Sequence, residues 1–125
     1  MAPQQRIALD VARMDDAHNA LFDLLDSLQG ADDAQLTAQF ESIRTHLAEH
    51  FADEEALMTE VRFSAFAEHH GEHQRLLGET AMLARFAKRG GQGAIGDFVR
   101  NRLPGWLTLH IQTMDAALAA QARAS

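Results

Sequence analysis

Between His46 and His73 the chain reads HLAEHFADEEALMTEVRFSAFAEHHGEH, which holds five of its seven histidines and a dense run of acids. Within it His50 and Glu54 are four residues apart, and so are His69 and His73. A helix turns about 100° per residue, so such a pair stands about 40° apart on one face, one turn up. Each pair is a two-toothed metal clamp. The chain has no cysteine, which excludes thiolate sites, iron–sulfur clusters, disulfides and a catalytic thiol. Any metal must therefore be held by imidazole and carboxylate.

The elements that position these clamps are helices. Tyrosine is absent, there are two prolines, and no alternating β-type run occurs among the 125 residues. Hydrophobic residues make up 46% and charged ones 23%, the balance of a globular protein. The length predicts one domain over residues 1–125. A net charge of −7 argues against nucleic acid and anionic membrane as partners. MAPQQRIALD lacks the pattern of a signal peptide, and no apolar stretch reaches the roughly 20 residues of a membrane span. The expectation is a cytoplasmic monomer.

Residues up to about Leu9, including Pro3, read as an extended arm. A first helix is predicted from about Asp15 to Leu28, with an apolar stripe through Met14, Leu21, Leu24, Leu25 and Leu28, ended by Gly30. His18 falls on the core side. Asp32 or Asp33 caps a second helix running to about Val61, whose stripe contains His50 and Glu54. A buried glutamate without a partner is costly, so Glu54 asks for a cation. After a break at residues 62–64, a third helix to about Arg89 carries His69 and His73. GGQGAIG (Gly90–Gly96) reads as the last loop, with no lysine and serine or threonine to make it a phosphate loop. The last helix, from about Ala94 or Asp97 to Ala120, carries Trp106 and His110, with a kink or restart expected at Pro104-Gly105. Together these predict an all-α, up-down-up-down four-helix bundle with a short N-terminal arm.

Candidate metal ligands then come from every helix: His18, His50, Glu54, His69, His73 and His110. Asp115 completes the set, five residues after His110. In an ideal α-helix that spacing separates side chains by about 140°. Either a π-bulge aligns the pair, or Asp115 reaches around toward a second ion. Two octahedral ions offer about twelve positions. Five histidines, two bridging carboxylates and one oxo or hydroxo bridge leave one vacant for a small ligand. Imidazole-rich ligation suits iron, and two ferrous ions can together give dioxygen two electrons. A set with only two carboxylates favours reversible binding over oxygen activation. Trp106, one turn before His110, should stack near whatever that histidine binds, and Ile111 is expected with it in the apolar wall near the open iron. His46, His70, Asp53, Glu55 and Glu72 read as surface or solvated groups, with a hydrogen bond between Glu55 or Glu72 and a ligand imidazole, or His46 near the ligands, as the alternative. Phe51, Met58 and Met114 read as plain core.

The spacing His18, His50-x-x-x-Glu54, His69-x-x-x-His73 and His110-x-x-x-x-Asp115 resembles that of the bacterial hemerythrins. So do the words MDDAH, HFADEEALM, EHHGEH and WLTLHI around the ligands. The arm departs from the pattern in lacking a tryptophan, and no tyrosine follows the last acid. The resemblance implies one iron on His69, His73 and His110, a second on His18 and His50, and Glu54 and Asp115 bridging both. It also implies that dioxygen binds at the five-coordinate second iron, in carriage, storage or delivery rather than catalysis. An oxygen or redox sensor, or an enzyme handling peroxide, nitric oxide or iron, is the alternative reading.

Overall fold

The computed structural model describes residues 4–125, so Pro3 lies outside the described residues. Helix α1 spans Ala12–Ser27, α2 Asp33–Glu60 and α3 Phe66–Ala87. A fourth rod follows as α4 (Gln92–Asp97), a π turn (Phe98–Arg102), α5 (Leu103–His110), a second π turn (Ile111–Asp115) and α6 (Ala116–Ala124). Joined by short turns, the four rods form the expected all-α bundle. Among the described residues no helix is long and apolar enough to cross a membrane.

Local chemistry explains each boundary. Helix α1 starts at Ala12, three residues earlier than its acids suggest. Asp10, at φ 60°, turns the chain into it, and the Asp15 carboxylate accepts from the amides of Leu9 and Asp10. Before that turn the arm is tied to α1: the Gln4 amide donates to Asp26, and Arg6 pairs with the same carboxylate. Asp32 caps α2 in a reciprocal box with Gln35. Asp32→Ala should therefore cost about 1 kcal/mol in denaturant unfolding, while Asp32→Asn should cost almost nothing. Helix α2 ends with Arg62 at φ 52°, where the Phe63 amide bonds back to Met58 and that of Arg62 to Thr59. Gly90, at φ 97°, closes α3 in the same way through Phe86 and Ala87.

One expectation for the last rod is corrected. Gly90–Gly96 is not a loop throughout, because the helix begins at Gln92. Each helical glycine costs about 1 kcal/mol relative to alanine. Against this, Ile95, Phe98 and Val99, spaced three and four apart, are all buried in the main core. The buried Gly96 also lies where Asp33 and Arg100 pair across the junction with α2, and a side chain there would collide with both. The interruption expected at Pro104 takes the form of a π turn just ahead of it, with α5 starting at Leu103. Backbone angles stay helical, and the Leu103 amide bonds to Phe98, five residues back. This wider turn accommodates a proline whose ring would otherwise strike the preceding turn.

The core has two parts. The larger gathers Phe22, Phe40, Leu47, Phe51, Leu76, Leu107 and Ile111 among others, and the smaller Met14, Leu57, Met58, Leu118 and Ala119. In chain order, Met14 and Leu21 flank His18, Phe51 and Leu57 flank Glu54, and Ile111 and Leu118 flank Asp115. One member of each flanking pair belongs to each part. A polar layer is thus sandwiched between two apolar ones.

Candidate metal centre

All seven predicted donors lie in that layer, and none is more than 7% exposed. His18 comes from α1, His50 and Glu54 from α2, and His69 and His73 from α3. His110 ends α5, and Asp115 ends the second π turn. That turn settles how Asp115 reaches the site. The Ala116 amide bonds to Ile111, five residues back, so one extra residue fits into the turn. Five-residue spacing then does the work of four, and Asp115 Oδ1 lies 3.2 Å from His110 Nε2.

Donor atoms about 2.0–2.1 Å from a first-row ion lie about 3 Å apart when cis and about 4 Å apart when trans. His110 Nε2 is 3.1 Å from His69 Nε2 and 3.2 Å from His73 Nε2. Glu54 Oε1 is 2.9 Å from His69 and 3.1 Å from His73, but 3.8 Å from His110. Asp115 Oδ1 is 2.9 Å from His69. Five donors near the corners of an octahedron can hold one ion. The other oxygens face a second group: Asp115 Oδ2 is 2.9 Å from His18, and Glu54 Oε2 is 3.4 Å from His18 and 3.2 Å from His50. These four donors can hold another ion. Each carboxylate therefore offers one oxygen to each group.

The electrostatics favour cations strongly. Burial alone would push the Glu54 carboxyl up, yet the surrounding imidazoles of His110, His18, His50 and His69 hold it well below the ordinary carboxylate range. Asp115 is likewise raised by burial but held low by His110, His18 and His69. Burial opposes a charged His18, but Asp115 and Glu54 reverse this and raise it to about 9. His69 is raised to about 9 by the same pair against the same burial, and His110 is raised too. Three imidazole nitrogens converging at hydrogen-bond distance cannot all carry protons. A shared cation resolves the conflict, so the residues fit a metal.

A family model for the hemerythrin HHE cation binding domain matches residues 9–122. The chain belongs to the hemerythrin family. It is 29% identical over 111 residues to a bacteriohemerythrin of Ralstonia nicotianae, covering 89% of this chain and 80% of that protein. A bacteriohemerythrin of Methylococcus capsulatus is 26% identical over 110 residues, covering 85% and 83%. No solved structure matches the chain significantly.

The groups around the hemerythrin donors include some whose sequence context suggests surface or plain core. Trp106 stacks on the His110 ring itself, with ring centroids 4.6 Å apart and planes at 12°. Phe51 is more than core filling, since it stacks on His73 at 4.0 Å and 6°. Ile111 is buried in the larger core. A small cavity of about 20 Å³ touches His50 and Glu54, lined also by Arg13, Met14, Ala17, Asp53 and Leu57. Trp106 and Ile111 are not among its lining residues. His46 and Asp53 are exposed, as expected. Glu72 pairs with Arg75 on its own helix. For Glu55 the alternative to a solvated acid holds: it accepts from His73 Nδ1 and His70 Nδ1, both at 2.8 Å. The adjacent acids Glu54 and Glu55 were the available signal, because a residue 100° further round α2 can face α3.

Proposed function

We propose that this hemerythrin binds dioxygen reversibly at a non-haem di-iron centre and acts as a binding protein rather than an enzyme. The observation that carries the reading is the division of the Glu54 and Asp115 oxygens between a five-donor and a four-donor group. His69, His73 and His110 hold one iron, His18 and His50 the other, and both carboxylates bridge. With an oxo or hydroxo bridge, the five-donor ion is filled and the four-donor ion keeps one position for a small exogenous ligand. The small cavity beside His50 and Glu54 supports placing that position at the second ion.

When bound, the iron pair supplies the two electrons that dioxygen binding draws on. The protein's own part is to position and enclose. The two apolar core layers exclude water from the polar one, and Trp106 backs His110 from the side. Ile111 adds apolar wall. Five neutral imidazoles with only two carboxylates stabilise high-valent iron less than a carboxylate-rich set would, which suits release of the ligand unchanged. The whole chain is taken as one such domain, working as a monomer in the cytoplasm.

The test is optical. Anaerobically reduced protein carrying two irons per chain should gain near-ultraviolet and visible charge-transfer bands on admission of air and lose them under argon. Bands that persist would replace reversible binding with a sensor or enzyme role. Absence of bands with iron present would reject the di-iron reading.

A further inference from the structure

Resting on the di-iron reading, we infer that Glu55 is the positioning residue that orients His73 and sets the electronic asymmetry between the two ions. Glu55 sits on α2 facing α3, where His70 and His73 lie three residues apart and one turn along. Its two oxygens are both engaged: Oε2 accepts from His73 Nδ1 and Oε1 from His70 Nδ1, each at 2.8 Å. A carboxylate oxygen accepts, so the geometry is satisfied when each ring nitrogen donates its N–H to Glu55. The tautomer of His73 is thereby fixed with its Nε2 lone pair aimed into the polar layer.

The arrangement is braced from both sides. Phe51 lies flat on the His73 ring, and Phe66 stacks on His70 at 5.8 Å and 13°. Glu55 is thus held by two rings that are themselves held, and can keep one rotamer at the bundle surface. No comparable partner serves three of the other donors. The Nδ1 atoms of His18, His50 and His69 are buried without a hydrogen-bond partner in the protein. His73 is therefore set apart from these three by a carboxylate behind it.

A carboxylate accepting the far N–H of a ligating imidazole fixes the ring's orientation and makes it a stronger donor. Here that donor belongs to the five-donor group, which has no position for an exogenous ligand once bridged. Extra donation there stabilises the ferric state of the ion that does not bind the ligand, and leaves the four-donor ion electronically distinct. Glu55 acts through His73.

The experiment compares wild type with Glu55→Ala and Glu55→Gln, each loaded with iron. Two quantities are read: iron loss to a competing chelator, and the midpoint potential of the di-iron couple. Glu55→Ala should bind iron about 10–100-fold more weakly and show a raised potential. Glu55→Gln keeps an oxygen to accept the Nδ1 proton but loses the charge. It should hold iron nearly as wild type while its potential still rises. A thermal midpoint that falls with the potential unmoved in both variants would make Glu55 merely structural and overturn the inference. Wild-type affinity and potential in both would do the same. Wild-type protein that takes up fewer than two irons would overturn the di-iron reading itself, and the inference with it.

Discussion

Glu54→Ala should leave the protein unable to hold either ion, not one of the two. Glu54 gives Oε1 to the five-donor group and Oε2 to the four-donor group, so a single deletion opens both polyhedra. Supporting residues beyond the ligands are worth about 10–100-fold in metal affinity, and loss of a shared ligand should exceed that range for both ions. His50→Ala is the contrast. It removes a donor from the four-donor group alone, so one iron per chain should remain. The folded protein suffers too, because the carboxylate lies among His18, His50, His69 and His110 in a layer closed to solvent. Removing one partner from a buried ionic cluster typically costs about 3–5 kcal/mol, since the remaining charges keep their burial and lose their compensation. Metal analysis per chain and denaturant unfolding read the two effects separately. Glu54→Ala protein that keeps two irons would remove Glu54 from the bridging role.

Stripped of metal with a chelator, the protein should be most stable in mildly acidic solution and weaken steadily toward pH 9. Burial disfavours a charged His18 and a charged His69, but the facing Asp115 and Glu54 carboxylates outweigh it and raise both from 6.5 to about 9. A group whose pKa is higher folded than unfolded binds its proton more tightly in the folded state. Its stabilisation is complete below pH 6.5 and is lost as pH rises to 9. A tenfold difference in proton affinity between the folded and unfolded states is worth about 1.4 kcal/mol, so the alkaline loss is on the order of a few kcal/mol. On the acid side the signs reverse. Glu54 and Asp115, held below the ordinary carboxylate range, stabilise above that range and lose this contribution as pH falls through it. Iron takes the place of the protons on His18 and His69, so loading at neutral pH should release about two protons per centre. The loaded protein should then show no comparable decline up to pH 9. Thermal midpoints of stripped and loaded protein across pH 5–9 test this. A stripped form whose stability is flat over that range would show that the imidazoles do not hold protons between the carboxylates.

The donor set was legible in the sequence because helix periodicity turns spacing into direction. His50 with Glu54 and His69 with His73 had to share faces, and those faces were otherwise apolar. Buried polar groups without partners are costly, which made the same positions stand out as ligands. The cap at Asp32 or Asp33 and the stop at Gly30 were equally local, and the structure places them at Asp32 and Gly30. The bundle followed from four amphipathic stripes and short connections.

What escaped the sequence depended on contacts between elements distant in the chain. Gly90–Gly96 looks like loop by propensity, and only the burial of Ile95, Phe98 and Val99 against the other helices makes it helical from Gln92 on. Pro104 signals a break, yet the π turn ahead of it absorbs the missing hydrogen bond. A second π turn decides between two routes for Asp115 that spacing alone left open. Glu55 has only its place beside Glu54 as a local mark, which does not by itself separate it from a solvated acid. Its role depends on how α2 and α3 are rotated about their axes when they pack, which places both its oxygens against His70 and His73. The sequence by itself determined which residues could bind metal. Only the tertiary structure decided which carboxylate oxygen faces which group, and which histidine has a carboxylate behind it, because those depend on the packing of whole helices.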